Sequence, residues 1–280
     1  MQLYISTGGF NLPLTQIIKK FIFNNINNIE ISGGRYEKNL FNKILNFNKI
    51  KISIHNYIPF YKKPFVFNLA SNKKKILNKS LAMAKKSIDL VSLNKSKFYT
   101  FHAGFLFDPK VNMLGDKPAP NKFFNRNYAI KNFVKNVKLL NNYAKKKGVN
   151  LLIENNIVSK KQYLLHNYVP LMCDIDETKK IMNLLPKNIK ILLDLAHLKV
   201  SSNVLGFSKS EYISKLDRYI DAYHLSDNNG LSDQNKIFDK KCWFWEFIKN
   251  DKKFCTIEVY NQNIKKLKQL LKLVESKINK

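Results

Sequence analysis

Six residues in this chain could do acid–base or metal chemistry together: His55, His102, Glu154, Asp194, His224 and Glu258. The clearest case is the stretch Lys190–Ser202, KILLDLAHLKVSS, where an apolar run leads straight into Asp194 and His197 follows three residues later. Ionisable groups at the end of such a run cannot sit in a dry core without partners. The other five end, or nearly end, runs of the same kind: KISIH at 51–55, FYTFH at 98–102, NLLIE at 150–154, DAYHL at 221–225 and FCTIE at 254–258. Of the five histidines in the chain, three (His55, His102 and His224) fall in this set, His197 lies just past Asp194 at the same expected rim, and His166 sits apart in a loop. Carboxylates and imidazoles brought to one place repel or take up protons unless a cation holds them together. A mixed carboxylate and imidazole set suits Zn²⁺, Mn²⁺, Co²⁺ or Fe²⁺ more than Ca²⁺, with Mg²⁺ also a candidate.

The elements that must position these residues follow from the apolar pattern. Short runs at 3–6, 28–32, 51–55, 98–102, 150–154, 190–194, 221–225 and 254–258 read as strands. They are apolar on both faces, as parallel strands covered by helices are. Helical segments are expected at 12–24, 37–47, 72–93, 128–147, 176–185, 209–219, 242–249 and 264–278, several with terminal signals: Pro13 in a first turn, Ser208 as an N-cap, Gly148 as a C-cap. Eight alternations in 280 residues predict a single (β/α)8 TIM barrel domain over residues 1–280. An open doubly wound sheet is the alternative. It is weakened because Thr7-Gly8-Gly9 after the first strand lacks the spacing of a phosphate loop. In a barrel the strand ends share one rim, where catalytic residues gather. The longest irregular piece, 105–125, with Pro109, Pro118 and Pro120, is expected to be a lid or binding loop.

Composition sets the outer bounds. The formal charge of +29 admits nucleic acid or another polyanion as a partner. The excess is nearly all lysine, however, with arginine only at 35, 126 and 218, and arginine is the residue for bidentate phosphate recognition. General lysine bias is the favoured explanation. Cys173, Cys242 and Cys255 match no disulfide framework or zinc ribbon and fit a reducing compartment. No apolar run approaches a membrane span and no signal peptide is apparent, so a cytoplasmic protein without a membrane partner is expected.

The order of the strand ends resembles the xylose isomerase-like TIM barrel superfamily, which includes sugar isomerases and epimerases and also endonuclease IV. The fragments that carry the resemblance are IEISGG at 29–34, HNYIPFYKKPFVFNLAS at 55–71, FHAG at 101–104, IENN at 153–156, LDLAH at 193–197, YHLSD at 223–227 and IEVY at 257–260. In the ketose epimerase branch it implies one metal held by Glu154, Asp194, His224 and Glu258. Glu154 and Glu258 would also transfer protons, and His197 would touch substrate oxygens. In the endonuclease branch it implies a zinc cluster that adds His55 and His102 on one side, and His197 with an Asp-x-His pair on the other. Here that pair is Asp233 and Asn235, so its histidine is missing, and KIFDKKCWFW replaces the glycine-rich segment that follows it.

The expected function is therefore a divalent-metal-dependent sugar or sugar-phosphate isomerase or epimerase, moving a proton at the carbon next to a metal-bound carbonyl. Two carboxylates on opposite faces would give epimerisation, and one working alone would give isomerisation. Lys199 is a candidate for a substrate phosphate, and Phe60, Tyr61, Phe65 and Phe67 either wall the pocket or pack on the barrel top. The alternative is an apurinic-site phosphodiesterase with a zinc cluster, favoured by the net charge. A barrel that only binds is disfavoured because the full ligand set is retained.

Overall fold

The computed structural model describes residues 1–47, 50–113, 120 and 122–278. Eight parallel strands close into a barrel in chain order: β1 (Gln2–Ser6), β2 (Asn28–Ile31), β3 (Lys51–His55), β4 (Phe98–His102), β5 (Asn150–Glu154), β6 (Lys190–Asp194), β7 (Ile220–Leu225) and β8 (Phe254–Ile257). β8 pairs with β1, so no edge is left open. This is the (β/α)8 architecture expected from the strand–helix alternation.

The period of two within each strand sorts the side chains. One set, including Ile29 and Ile31, Ile52 and Ile54, Leu151 and Ile153, and Ile191 and Leu193, packs outward with the helices in the main core. The other set faces the barrel axis and divides by height. Tyr4, Leu152, Leu192, Ala222 and Phe254, with Phe98 against them, form a small apolar cluster that plugs the lower interior. Two residues further along the strands the inward positions turn polar: Thr100, Glu154, Asp194, His224 and Thr256, all buried. The same strands thus supply a dry plug below and a ring of donors and acceptors above.

The surrounding helices are α1 (Leu14–Phe23), α2 (Leu40–Leu45), α3 (Lys74–Leu93), α4 (Arg126–Lys146), α5 (Lys160–His166), α6 (Ile175–Leu184), α7 (Leu195–Leu205), α8 (Lys209–Leu216) and α9 (Ile264–Ile278). Two were not expected from the pattern. α5 is a single short helix with no buried residue, capped by Ser159, whose hydroxyl accepts from the Gln162 N–H. It carries His166 in its last turn, where a loop was expected. α7 begins directly after β6 with no intervening loop, and Asp194 itself caps it. The segment expected as a helix at 242–249 is instead a 3₁₀ turn at Trp243–Phe247. The long loop at 105–125 contains a 3₁₀ turn, Val111–Met113. Its residues 114–119 and 121, Pro118 included, lie outside the described residues. Among the described residues, no helix is long and apolar enough to cross a membrane.

Candidate metal centre

The barrel geometry brings the strand-end residues to one rim. Glu154 and Asp194 are the last residues of β5 and β6, His224 is next to last in β7, and Glu258 lies one residue past β8. Ligating atoms of these four all lie within 4.8 Å of one another. His224 is central. Its Nδ1 is 2.9 Å from Glu258 Oε2, 3.3 Å from Glu154 Oε1 and 3.8 Å from Asp194 Oδ2. Glu154 Oε1 and Oε2, Asp194 Oδ2 and His224 Nδ1 are buried without a well-formed hydrogen bond. Buried polar atoms are seldom left so. Two carboxylates and an imidazole nitrogen orphaned together, with the Glu258 carboxylate beside them, have the composition and spacing of a divalent cation site.

A second grouping shares Glu154. His55 Nε2 is 3.0 Å and His102 Nδ1 3.1 Å from Glu154 Oε2, and these three residues also converge as potential ligands. His55 Nδ1 meets the Thr100 hydroxyl at 2.8 Å, which turns Nε2 toward Glu154. His197 stands on the other flank in the first turn of α7, its Nδ1 2.9 Å from the Asn155 carbonyl and its Nε2 3.4 Å from Asp233 Oδ2. At 235, where the pair would need a histidine, Asn235 is buried with φ of 43° and its carbonyl accepts from the Tyr260 N–H.

The electrostatics follow from burial and crowding. Burial, then the charges of Glu154 and Glu258, lift the Asp194 carboxyl to about 7 against the opposing pull of His197 and His224. Burial works against ionising Glu154 as well, but the imidazoles of His102, His55 and His224 outweigh it and hold that carboxyl well below the ordinary range. Burial pushes His102 down to about 3 despite Glu154 beside it. In His224 burial is overcome by Glu30, Glu258 and Glu154, which raise it well above the usual imidazole value.

Local structure fixes these side chains. The Asn155 amide clips β5 to β6: its Oδ1 accepts from the Asp194 N–H at 2.8 Å and its Nδ2 donates to the Asp194 carbonyl at 3.1 Å. Asp194 Oδ1 accepts from the His197 N–H at 2.7 Å, which leaves Oδ2 turned inward. Glu30, Asn155, Thr256 and Tyr260 were not singled out from the sequence. The available signal for Glu30 was a lone carboxylate between isoleucines in a buried strand.

Above the cluster lies a recess of about 440 Å³, lined by Tyr57, His102, Phe105, Phe107, Tyr168, His197, Asp233 and Tyr260 among others. Its aromatic walls come from Tyr57, the loop after β4, Tyr168 and Tyr260, while Phe60, Tyr61, Phe65 and Phe67 pack against the core. Lys199 is not brought there. Its Nζ donates to Asp227 Oδ1 and the Asn228 carbonyl, both at 2.6 Å, and it borders a separate recess with Lys209 and Trp243.

The family model described as xylose isomerase-like TIM barrel matches residues 30–276. No curated protein matches the sequence. Among solved structures, a D-tagatose 3-epimerase-like protein is similar with a TM-score of 0.73 at 19% identity, covering 100% of this chain and 98% of that one. A D-psicose 3-epimerase from Clostridium cellulolyticum H10, solved with D-tagatose, gives 0.64 at 14% identity over 94% of this chain and 86% of its own. The IOLI protein with a bound zinc atom gives 0.68 at 14% identity over 99% and 98%. At these identities the structural likeness is one of fold.

Proposed function

Since the chain belongs to the xylose isomerase-like TIM barrel family, we propose that it is a divalent-metal-dependent sugar isomerase or epimerase that transfers a proton at the carbon next to the sugar carbonyl. The observation that carries this reading is the buried group of Glu154, Asp194, His224 and Glu258, with ligating atoms within 4.8 Å of one another, beneath a recess of about 440 Å³. These four residues would hold the ion. A bound divalent ion supplies electrostatic stabilisation of the charge that develops on the sugar oxygen.

The chain's own groups would do the rest. Glu258 is the proposed proton acceptor. Its Oε2 faces His224, and its Oε1 is 3.3 Å from the Tyr260 hydroxyl at the wall of the recess. The charge of Glu258, then burial, raises Tyr260 well above the ordinary phenol value. Tyr260 therefore stays protonated and donates to Glu258, orienting it. Glu154, on the other side of the cluster, is the proposed partner that returns a proton to the opposite face and gives epimerisation. His197, with Nδ1 fixed on the Asn155 carbonyl, offers Nε2 to a substrate oxygen. Tyr57, Phe105, Phe107 and Tyr168 provide apolar faces for the C–H side of a sugar ring. No lysine or arginine is found among the described residues lining this recess, which supports a sugar without phosphate.

The test is exchange of carbon-bound protons with solvent deuterium, followed by NMR on a panel of ketoses and their phosphates with Mn²⁺, Zn²⁺ or Co²⁺ supplied. Deuterium should enter at the carbon beside the carbonyl. A second reading rests on the approach of both His55 and His102 to Glu154 Oε2, which would suit a multinuclear phosphodiesterase acting at apurinic sites. Incision of an abasic duplex without exchange in any sugar would replace the first reading with the second.

A further inference from the structure

Glu30 is a buried carboxylate with no part in the proton transfers above. It sits in the middle of β2, flanked by Ile29 and Ile31, and is wholly inaccessible to solvent. A carboxylate in such a place is strongly unfavourable unless it is paired and hydrogen-bonded. Glu30 has two partners across the barrel. His224 Nε2 lies 3.0 Å from its Oε1 and 3.2 Å from its Oε2, and the Thr256 hydroxyl donates to Oε2 at 3.0 Å. His224 and Thr256 are register neighbours on β7 and β8. The two nitrogens of His224 therefore have separate tasks. Nε2 faces Glu30 below, while Nδ1 faces Glu154, Asp194 and Glu258 above.

We infer that Glu30 is a positioning residue for a metal ion: anchored by Thr256, it binds the Nε2–H of His224 and so keeps the Nδ1 lone pair aimed at the ligand group. This rests on the reading of Glu154, Asp194, His224 and Glu258 as ligands. An imidazole has only one nitrogen free to coordinate when the other carries the proton, and the acceptor at the second nitrogen decides which is which. Were Nδ1 to carry the proton instead, it would point a hydrogen into the site. Glu30 prevents this because a carboxylate accepts and cannot donate. Thr256 uses its single hydroxyl hydrogen on Oε2, which limits rotation of the carboxylate.

Metal binding separates this role from general stability. Zn²⁺ and Mn²⁺ affinities are measured by competition with a chromophoric chelator for the wild type, Glu30→Gln, Thr256→Val and Asp194→Ala, with the melting temperature of each metal-free protein recorded alongside. Glu30→Gln keeps the shape, but its amide can present N–H to Nε2 and favour the wrong tautomer. It should bind about 10–100-fold more weakly while the metal-free protein still unfolds cooperatively. Thr256→Val, which leaves the carboxylate in place, should weaken binding by a smaller factor and serves where Glu30→Gln does not fold. In the zinc-loaded wild type, imidazole ¹⁵N spectra should show the proton of His224 on Nε2. Binding by both variants within about twofold of wild type, or a His224 proton on Nδ1, overturns the inference and leaves the ligand assignment standing. Full metal content in Asp194→Ala overturns the ligand assignment and the inference with it.

Discussion

At the residue scale, the proposed chemistry depends on carboxylates whose oxygens are separately committed. Asp194 uses Oδ1 to cap α7 and leaves Oδ2 without a hydrogen-bond partner. Asp194→Ala should therefore remove metal from this site and abolish turnover, as read by elemental analysis and by the exchange assay. Glu258→Gln keeps the size and one oxygen ligand but cannot accept a proton at neutral pH. It should lose about 10²–10⁴ in turnover while retaining metal, and solvent deuterium should no longer enter the substrate. The proton on Asp194 gives a pH test. Burial and neighbouring carboxylates lift this group to about 7, so below that value a cation must displace a proton to bind. Apparent affinity should fall by at least about tenfold per unit as pH drops below 7, and because the raised His224 imidazole must also give up its Nδ1 proton to coordinate, affinity should still be rising just above 7. Chelator competition between about pH 5.5 and 8 checks this, and a flat profile would remove Asp194 from the ligand set.

At the element scale, the recess depends on loops that a single buried amide ties together. Asn68, in the loop between β3 and α3, accepts from the N–H groups of Ala70 and Phe105 and donates toward the carbonyls of Phe105 and Phe107 and to Asp108. It joins the loop after β3 to the loop after β4, and Phe105 and Phe107 are walls of the recess. Gly104 packs so closely here that a Cβ on it would lie 2.4 Å from that of Ala70. Asn68→Ala leaves several buried groups unpaired and should lower stability by about 2–4 kcal/mol. Because the proposed metal ligands lie at strand ends and not on these loops, KM should rise while metal affinity stays near wild type. A variant that lost metal and substrate affinity together would place Asn68 in a different role.

At the scale of the whole molecule, charge and site point in different directions. The chain carries +29, yet the described residues lining the recess include histidines, tyrosines and Asp233 and no lysine or arginine. Turnover of a neutral sugar should change little between about 50 and 200 mM salt, whereas a phosphodiesterase that neutralises many DNA phosphates would lose about 10³–10⁵ in affinity over that range. Initial rates across a salt series decide between the two. Metal should also stabilise the folded chain by mass action, since an ion bound only by the native state raises the melting temperature by several degrees when present far above its dissociation constant. Unchanged melting with excess Zn²⁺ or Mn²⁺ and with chelator would argue against a resident ion.

Much of this was legible in the residues. Strands buried on both faces show as short apolar runs, so 51–55, 98–102 and 150–154 read directly as strands. The ionisable residues that close those runs had to share a rim once eight units closed in order. Boundaries that depend on capping were less visible. α7 starts at once after β6 because Asp194 is both strand end and helix cap, and neither role alone marks the junction. Only the closed barrel decided which residues meet across it. Glu30 and His224 are 194 positions apart, and strand periodicity says which face each occupies but not what stands opposite. The division of His224 into an Nε2 bound to Glu30 and an Nδ1 facing three carboxylates is likewise set by barrel closure. So is the commitment of Lys199 to Asp227 in place of the recess. Residue type and spacing select which groups can do chemistry; contacts between distant strands set the direction each group faces, and direction determines what it can bind.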